Sequence, residues 1–127
     1  MVIRTLAKRA AVVAAASAVT VTMLAGTASA NTQVGYVGDH QANNWTAVWC
    51  VQHDINHFAQ NSWYPHIDED GYWGPKTKNA VVWFQGRLIS GAKYADGIVG
   101  PRTGDLLLGY GDEDQDAKCR AALPTSS

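Results

Sequence analysis

The 127-residue sequence has no long aliphatic run, no basic cluster beyond its first nine residues, no Cys-x-x-Cys pair and no sustained alternation of apolar and polar residues. Each absence excludes something. The most apolar stretch, 10–25, is almost wholly Ala, Val, Ser, Thr, Met and Leu, too short and too poor in large aliphatics for the rival reading of a transmembrane anchor. The missing basic patch argues against nucleic acid as a partner and against adsorption to anionic surfaces by charge alone. The missing Cys-x-x-Cys argues against a nucleophilic or metal-binding thiol. Without alternation there is no case for a β-strand.

What is present begins with a leader. Arg4, Lys8 and Arg9 precede the apolar stretch, and Ala28-Ser29-Ala30 fits the small-residue rule for cleavage. Residues 1–30 therefore read as a secretory signal peptide, with Asn31 as the mature N-terminus and no membrane anchor after cleavage. The remaining 97 residues make one small domain. They carry 7 basic against 11 acidic residues, a net of −4. Cys50 and Cys119 in a secreted chain read first as a disulfide, within one chain or between two. Within one chain it would close a loop of about seventy residues and contribute roughly 4 kcal/mol.

Residues 31–44 are polar and glycine-rich and read as a linker. Over 45–60, Val48, Val51, Ile55 and Phe58 recur at helical steps, with Asn44 or Thr46 as cap and Asn61 as the left-handed stop. An aromatic loop, 62–69, follows. Ala80, Val81, Phe84 and Leu88 make the stripe of a second helix over 75–89, with Gly91 as a C-terminal stop. A short third helix spans 101–108, with Leu106 and Leu107 as core candidates. Gly109-Tyr110-Gly111 breaks it, and 110–127 reads as an acidic, then small-residue tail.

One stretch occurs twice. Asp70-Gly71-Tyr72-Trp73-Gly74-Pro75-Lys76-Thr77 and Asp96-Gly97-Ile98-Val99-Gly100-Pro101-Arg102-Thr103 share Asp, Gly, Gly, Pro, a long cation and Thr. Each is a turn that launches a helix. Asp-Gly supplies the turn, the second Gly serves as N-cap, and Pro at N1 loses no hydrogen bond. Asp70, Asp96, Thr77 and Thr103 read as structural, bonding backbone at the turn and the helix start. The fold class is all-α: a small three-helix bundle with two equivalent D-G-x-x-G-P-x-T turns and one disulfide.

The pattern resembles the peptidoglycan-binding-domain-1 family. Val51-Gln52 with Ile55, the first turn, Ala80-Val81-x-x-Phe84-Gln85, the second turn and Leu106 or Leu107 resemble its elements in order and spacing. The loop before the first turn is longer and more aromatic than the family's usual one, and Asn61 stands where Gly is common. The resemblance covers about 46–108 and defines a domain at 45–109. It implies a stand-alone, non-catalytic module that binds peptidoglycan, by glycan or stem peptide. Such a module would be extracellular and cell-wall associated, monomeric, and without a cofactor.

All five Trp and all five Tyr lie beyond residue 30, more than a core this small can bury. Flat exposed rings suit sugar faces and peptide stems. The candidate ligand-binding residues are Trp63 and Tyr64 in the loop, Tyr72 and Trp73 in the first turn, and Trp49 on the first helix. Trp83 reads as partly buried. In the second turn Ile98 and Val99 replace the aromatic pair, so at least one of each pair belongs to the core.

Two readings compete with binding. His53 and His57 stand at i and i+4, a spacing that can chelate a metal, and would suit a metal-dependent cell-wall hydrolase or peptidase. No third ligand is fixed in place, and Asp54 replaces the Glu that would act as base, so two solvent-facing residues is the plainer reading. The chain could also be a secreted protein–protein interaction domain that reuses the fold. Asp112-x-Asp114-x-Asp116 begins like a calcium loop, but Ala117 and Leu123 stand where Gly and Glu are needed.

Overall fold

The computed structural model describes residues 34–126. The expected signal peptide lies outside the described residues. Four helices follow in order: α1 (Trp45–Ala59), α2 (Pro75–Leu88), α3 (Pro101–Tyr110) and α4 (Asp116–Ala122). Short 3-10 turns occupy Ala92–Tyr94 and Glu113–Gln115. Among the described residues the only β pairing is one isolated antiparallel bridge, Val37 with Val99.

The helices form where stripe and cap agree. Asn44 caps α1, its Oδ1 accepting from the N–H groups of Thr46 and Ala47 at 3.0 and 3.3 Å. The expected stripe points inward: Val48, Val51 and Ile55 are fully buried, and Phe58 packs edge-on against Phe84, ring centres 5.1 Å apart. Ala80, Val81 and Phe84 of α2 and Leu107 and Leu108 of α3 complete the core. Burying a side chain such as Ile55 or Phe84 contributes about 1.5–3 kcal/mol. Gly74 and Gly100 are extended N-caps before Pro75 and Pro101. Gly71 and Gly97 have φ of +73° and +78°, left-handed positions that favour glycine.

Four details differ from the sequence reading. The segment read as a linker is packed: Val37 is buried and exchanges two backbone hydrogen bonds with Val99, at 3.0 and 2.7 Å. The segment read as a tail folds into α4 and buries Cys119, Leu123, Pro124 and Thr125. There is no room for a Cβ at Gly104, because the Pro124 carbonyl lies against it. Asn61 does not take the left-handed conformation; α1 ends through Gln60 N–H to the His57 carbonyl, and Ser62 donates to the Ala59 carbonyl. Helix α3 continues through Gly109 and Tyr110, two residues beyond its expected end.

Cys50 on α1 and Cys119 on α4 are joined, with Cα atoms 5.5 Å apart and 69 residues between them in sequence. The bridge is wholly buried and fastens the shortest helix to the longest. Replacing both cysteines with serine is expected to lower unfolding free energy by about 2–5 kcal/mol, read in a denaturant melt. The oxidised wild-type chain should run as a monomer on a non-reducing gel.

Candidate ligand-binding groove

The first turn is built around Gln52. This side chain is 1% exposed, yet all of its polar capacity is used. Its amide nitrogen donates to Asp70 Oδ1, the Tyr72 carbonyl and Thr77 Oγ1, all at 3.0–3.1 Å. Its carbonyl accepts from the Gly71 N–H at 2.9 Å. Asp70 also accepts from the Tyr72 N–H, closing the turn on itself. An amide has two N–H groups, so three acceptors share them.

Gln85 repeats the device at the second turn. It donates to Asp96 Oδ1, the Ile98 carbonyl and Thr103 Oγ1, and accepts from the Gly97 N–H. Asp96 accepts from the Ile98 N–H as Asp70 does from Tyr72. Asp70, Asp96, Thr77 and Thr103 are thus structural members of two matching frames.

A groove opens beside each frame. The first, of about 420 Å³, is lined by Ile67, Asp68, Tyr72, Trp73, Pro75 and Lys76 around the Gln52 frame. Tyr72 is 73% exposed, whereas Trp73 is half-buried and its indole N–H donates to Asp39 Oδ1 at 2.9 Å. Lys78 Nζ meets the other Asp39 oxygen at 2.6 Å. Those two bonds hold the Asp39 carboxyl below its ordinary pKa. The second groove, about 160 Å³, is narrowed by Tyr36 and Tyr94. Ile98 and Val99 stand where the first has Tyr72 and Trp73, and Val99 is fully buried.

Residues 51–107, which contain both frames, match the family described as "Putative peptidoglycan binding domain". No curated protein and no solved structure matches the chain. Among the described residues, no helix is long and apolar enough to cross a membrane.

The five candidate aromatics fall in three places on the domain. Tyr72 and Trp73 line the first groove. Trp63 and Tyr64 instead pack on Trp83 of α2, Tyr64 stacked at 4.4 Å and Trp63 edge-on at 6.2 Å, leaving Trp63 74% exposed. The Trp83 indole N–H is buried, with no hydrogen-bond partner among the described residues. Trp49 stacks on His53 at 4.5 Å, with Lys118 Nζ 3.8 Å above the Trp49 ring.

His53 is a clasp rather than a solvent-facing residue. Its Nδ1 meets Glu69 at 2.9 Å and its Nε2 meets Asp112 at 2.8 Å. Burial works against its charge, but the bonds to Asp112 and Glu69 outweigh it and raise its pKa. Glu69 is lowered despite its own burial, through bonds from Asn56 and His53. Asp112 is lowered chiefly by His53 and then by the Asp114 N–H. Asn56 bonds both backbone groups of Ile67, so α1 positions the loop that lines the groove. His57 is exposed, 3.3 Å from the Gln60 amide. Among the described residues, no group of three His, Cys, Asp or Glu is arranged to hold a metal ion.

Asp54 is 2% exposed, and burial pushes its carboxyl up to about 6 against the opposing bond from the Asp112 N–H. Among the described residues, its Oδ2 has no hydrogen-bond partner.

These shifts fix the pH dependence of stability. The Asp54 shift favours the protonated fold, so stability falls as pH rises from about 4 to about 6. The His53 contribution is complete below its unfolded value near 6.5 and is lost as pH rises through its folded value. The Glu69 and Asp112 contributions are present above about 4 and are lost in stronger acid. Melting temperature should therefore peak near pH 4–5 and decline toward pH 8. Asp54→Asn should flatten the profile between about pH 4 and 6 while leaving the fall above 6.5; an unchanged profile would contradict the assignment.

Proposed function

We propose that this chain is a secreted, monomeric, non-catalytic module that holds peptidoglycan outside the cell through an aromatic surface. The first groove is the centre of that surface, with Tyr72 and Trp73 as its principal contacts. Trp63 with Tyr64, and Trp49, are flanking contacts for a ligand that extends along the wall polymer. The observation that carries this reading is the exposed Tyr72 beside an open groove, where the equivalent position of the second turn is Ile98.

The chemistry supports it. The Gln52, Asp70 and Thr77 side chains are already bonded to one another, so the groove wall is rigid before a ligand arrives. Exposed rings offer large contact area at small entropic cost. With a net of −4 over residues 31–127, attraction by overall charge contributes little, and retention on cell wall should depend only modestly on salt.

A metal-dependent hydrolase would require free ring nitrogens on His53 and His57. Both His53 nitrogens are engaged by carboxylates, which favours binding over hydrolysis.

The test is sedimentation of the secreted protein with insoluble purified cell wall, with and without chelator. The wild type should pellet in both at moderate salt, and Tyr72→Ala should weaken retention about tenfold, as the loss of one stacked ring implies. Wild-type protein left in the supernatant, or chelator-sensitive release of wall fragments, would overturn the proposal.

A further inference from the structure

The second groove has a feature the first lacks. Two cations converge on one of its rings: Lys93 Nζ lies 5.0 Å and Arg102 Cζ 5.1 Å from the centre of Tyr94. Among the described residues, neither has a carboxylate partner. Elsewhere Lys78 is paired with Asp39 and Arg120 with Asp116. The groove's own carboxylate, Asp96, is bonded by Gln85 and the Ile98 N–H within the frame. Two cations stand here against the one carboxylate of Asp96, a local balance of +1 between aromatic walls on a chain that is acidic beyond its leader. Tyr36 closes one side, its ring lying against Gly100.

An arginine seated on an aromatic face keeps its guanidinium edge free to grip a carboxylate with two parallel hydrogen bonds. The groove, about 160 Å³ and walled by Tyr36 and Tyr94, has room for a carboxylate with its adjoining carbon atoms. The peptide branches of the wall polymer present such groups. Resting on the peptidoglycan reading above, we infer that the Tyr36–Tyr94–Arg102 groove is a second subsite that takes a carboxylate of the stem peptide. The first groove holds one part of the polymer and the second fixes a charged branch, so the duplicated frame serves two-point attachment.

The experiment compares wild type, Arg102→Gln with Lys93→Gln, and Arg102→Lys on three preparations. These are intact wall, wall stripped of phosphate-bearing polymers, and wall whose stem peptides have been removed enzymatically. Both substituted residues are exposed, and a thermal melt confirms that each variant is folded. Retention of the double variant on the first two preparations should fall about tenfold, with Arg102→Lys intermediate. On stem-free wall, wild type and double variant should bind alike. Equal binding of double variant and wild type to intact wall would overturn the subsite while leaving the peptidoglycan reading intact. A defect that vanishes on phosphate-stripped wall, or persists on stem-free wall, would overturn the carboxylate assignment. Wild type that binds none of the three would instead defeat the parent reading.

Discussion

Two buried glutamine amides hold this domain in shape. Gln52 and Gln85 each reach from a helix into the next turn and satisfy a backbone N–H, a backbone carbonyl, an Asp and a Thr at once. Removing either would strand the buried Thr hydroxyl and Gly N–H of its frame, at about 1–3 kcal/mol for each group left unsatisfied. Because both ends of the amide are committed, the turn has one geometry. That geometry sets where Pro75 and Pro101 start their helices. The bundle is thus assembled from one locked unit used twice, closed by a disulfide to α4.

The two copies differ in what they present. The frames match bond for bond, so what is presented beside them depends on the variable positions and on what packs nearby. Tyr72 and Trp73 leave the first groove open and aromatic, while Tyr36 and Tyr94 narrow the second and give it cations. The His53 clasp joins α1 to the loop before the first turn and to the Asp112 segment. It therefore steadies one wall of the groove from behind. Asp54 next to it carries an oxygen unsatisfied among the described residues, a local cost that the neighbouring contacts must offset.

Much of the fold was legible because its signals are local. Gly-Pro pairs mark helix starts, and Val48, Val51, Ile55, Ala80, Val81 and Phe84 recur at helical steps. The packing of Val37 was not legible, since a single bridged residue leaves no periodicity to read. Helix α4 has seven residues, too few for a stripe, and is fastened by Cys119 instead. The roles of Gln52 and Gln85 were hidden because a buried glutamine looks like a surface one in sequence. The recurrence of Gln beside each apolar stripe, as in Val51-Gln52 and Phe84-Gln85, was the available signal. The aromatics were countable but not placeable: ring contacts separate Trp63–Tyr64 from Tyr72–Trp73, and only the folded chain distributes them.

The proposed ligand groove stands on the locked first turn. Nuclear magnetic resonance of the folded protein titrated with soluble wall fragments, each a short glycan bearing its stem peptide, tests it most directly. Saturable shifts are expected at Tyr72, Trp73 and Lys76, with the Gln52 side-chain amide keeping its bonded environment. Shifts confined to the Trp49–His53 face, or no saturable shift at any concentration, would contradict it.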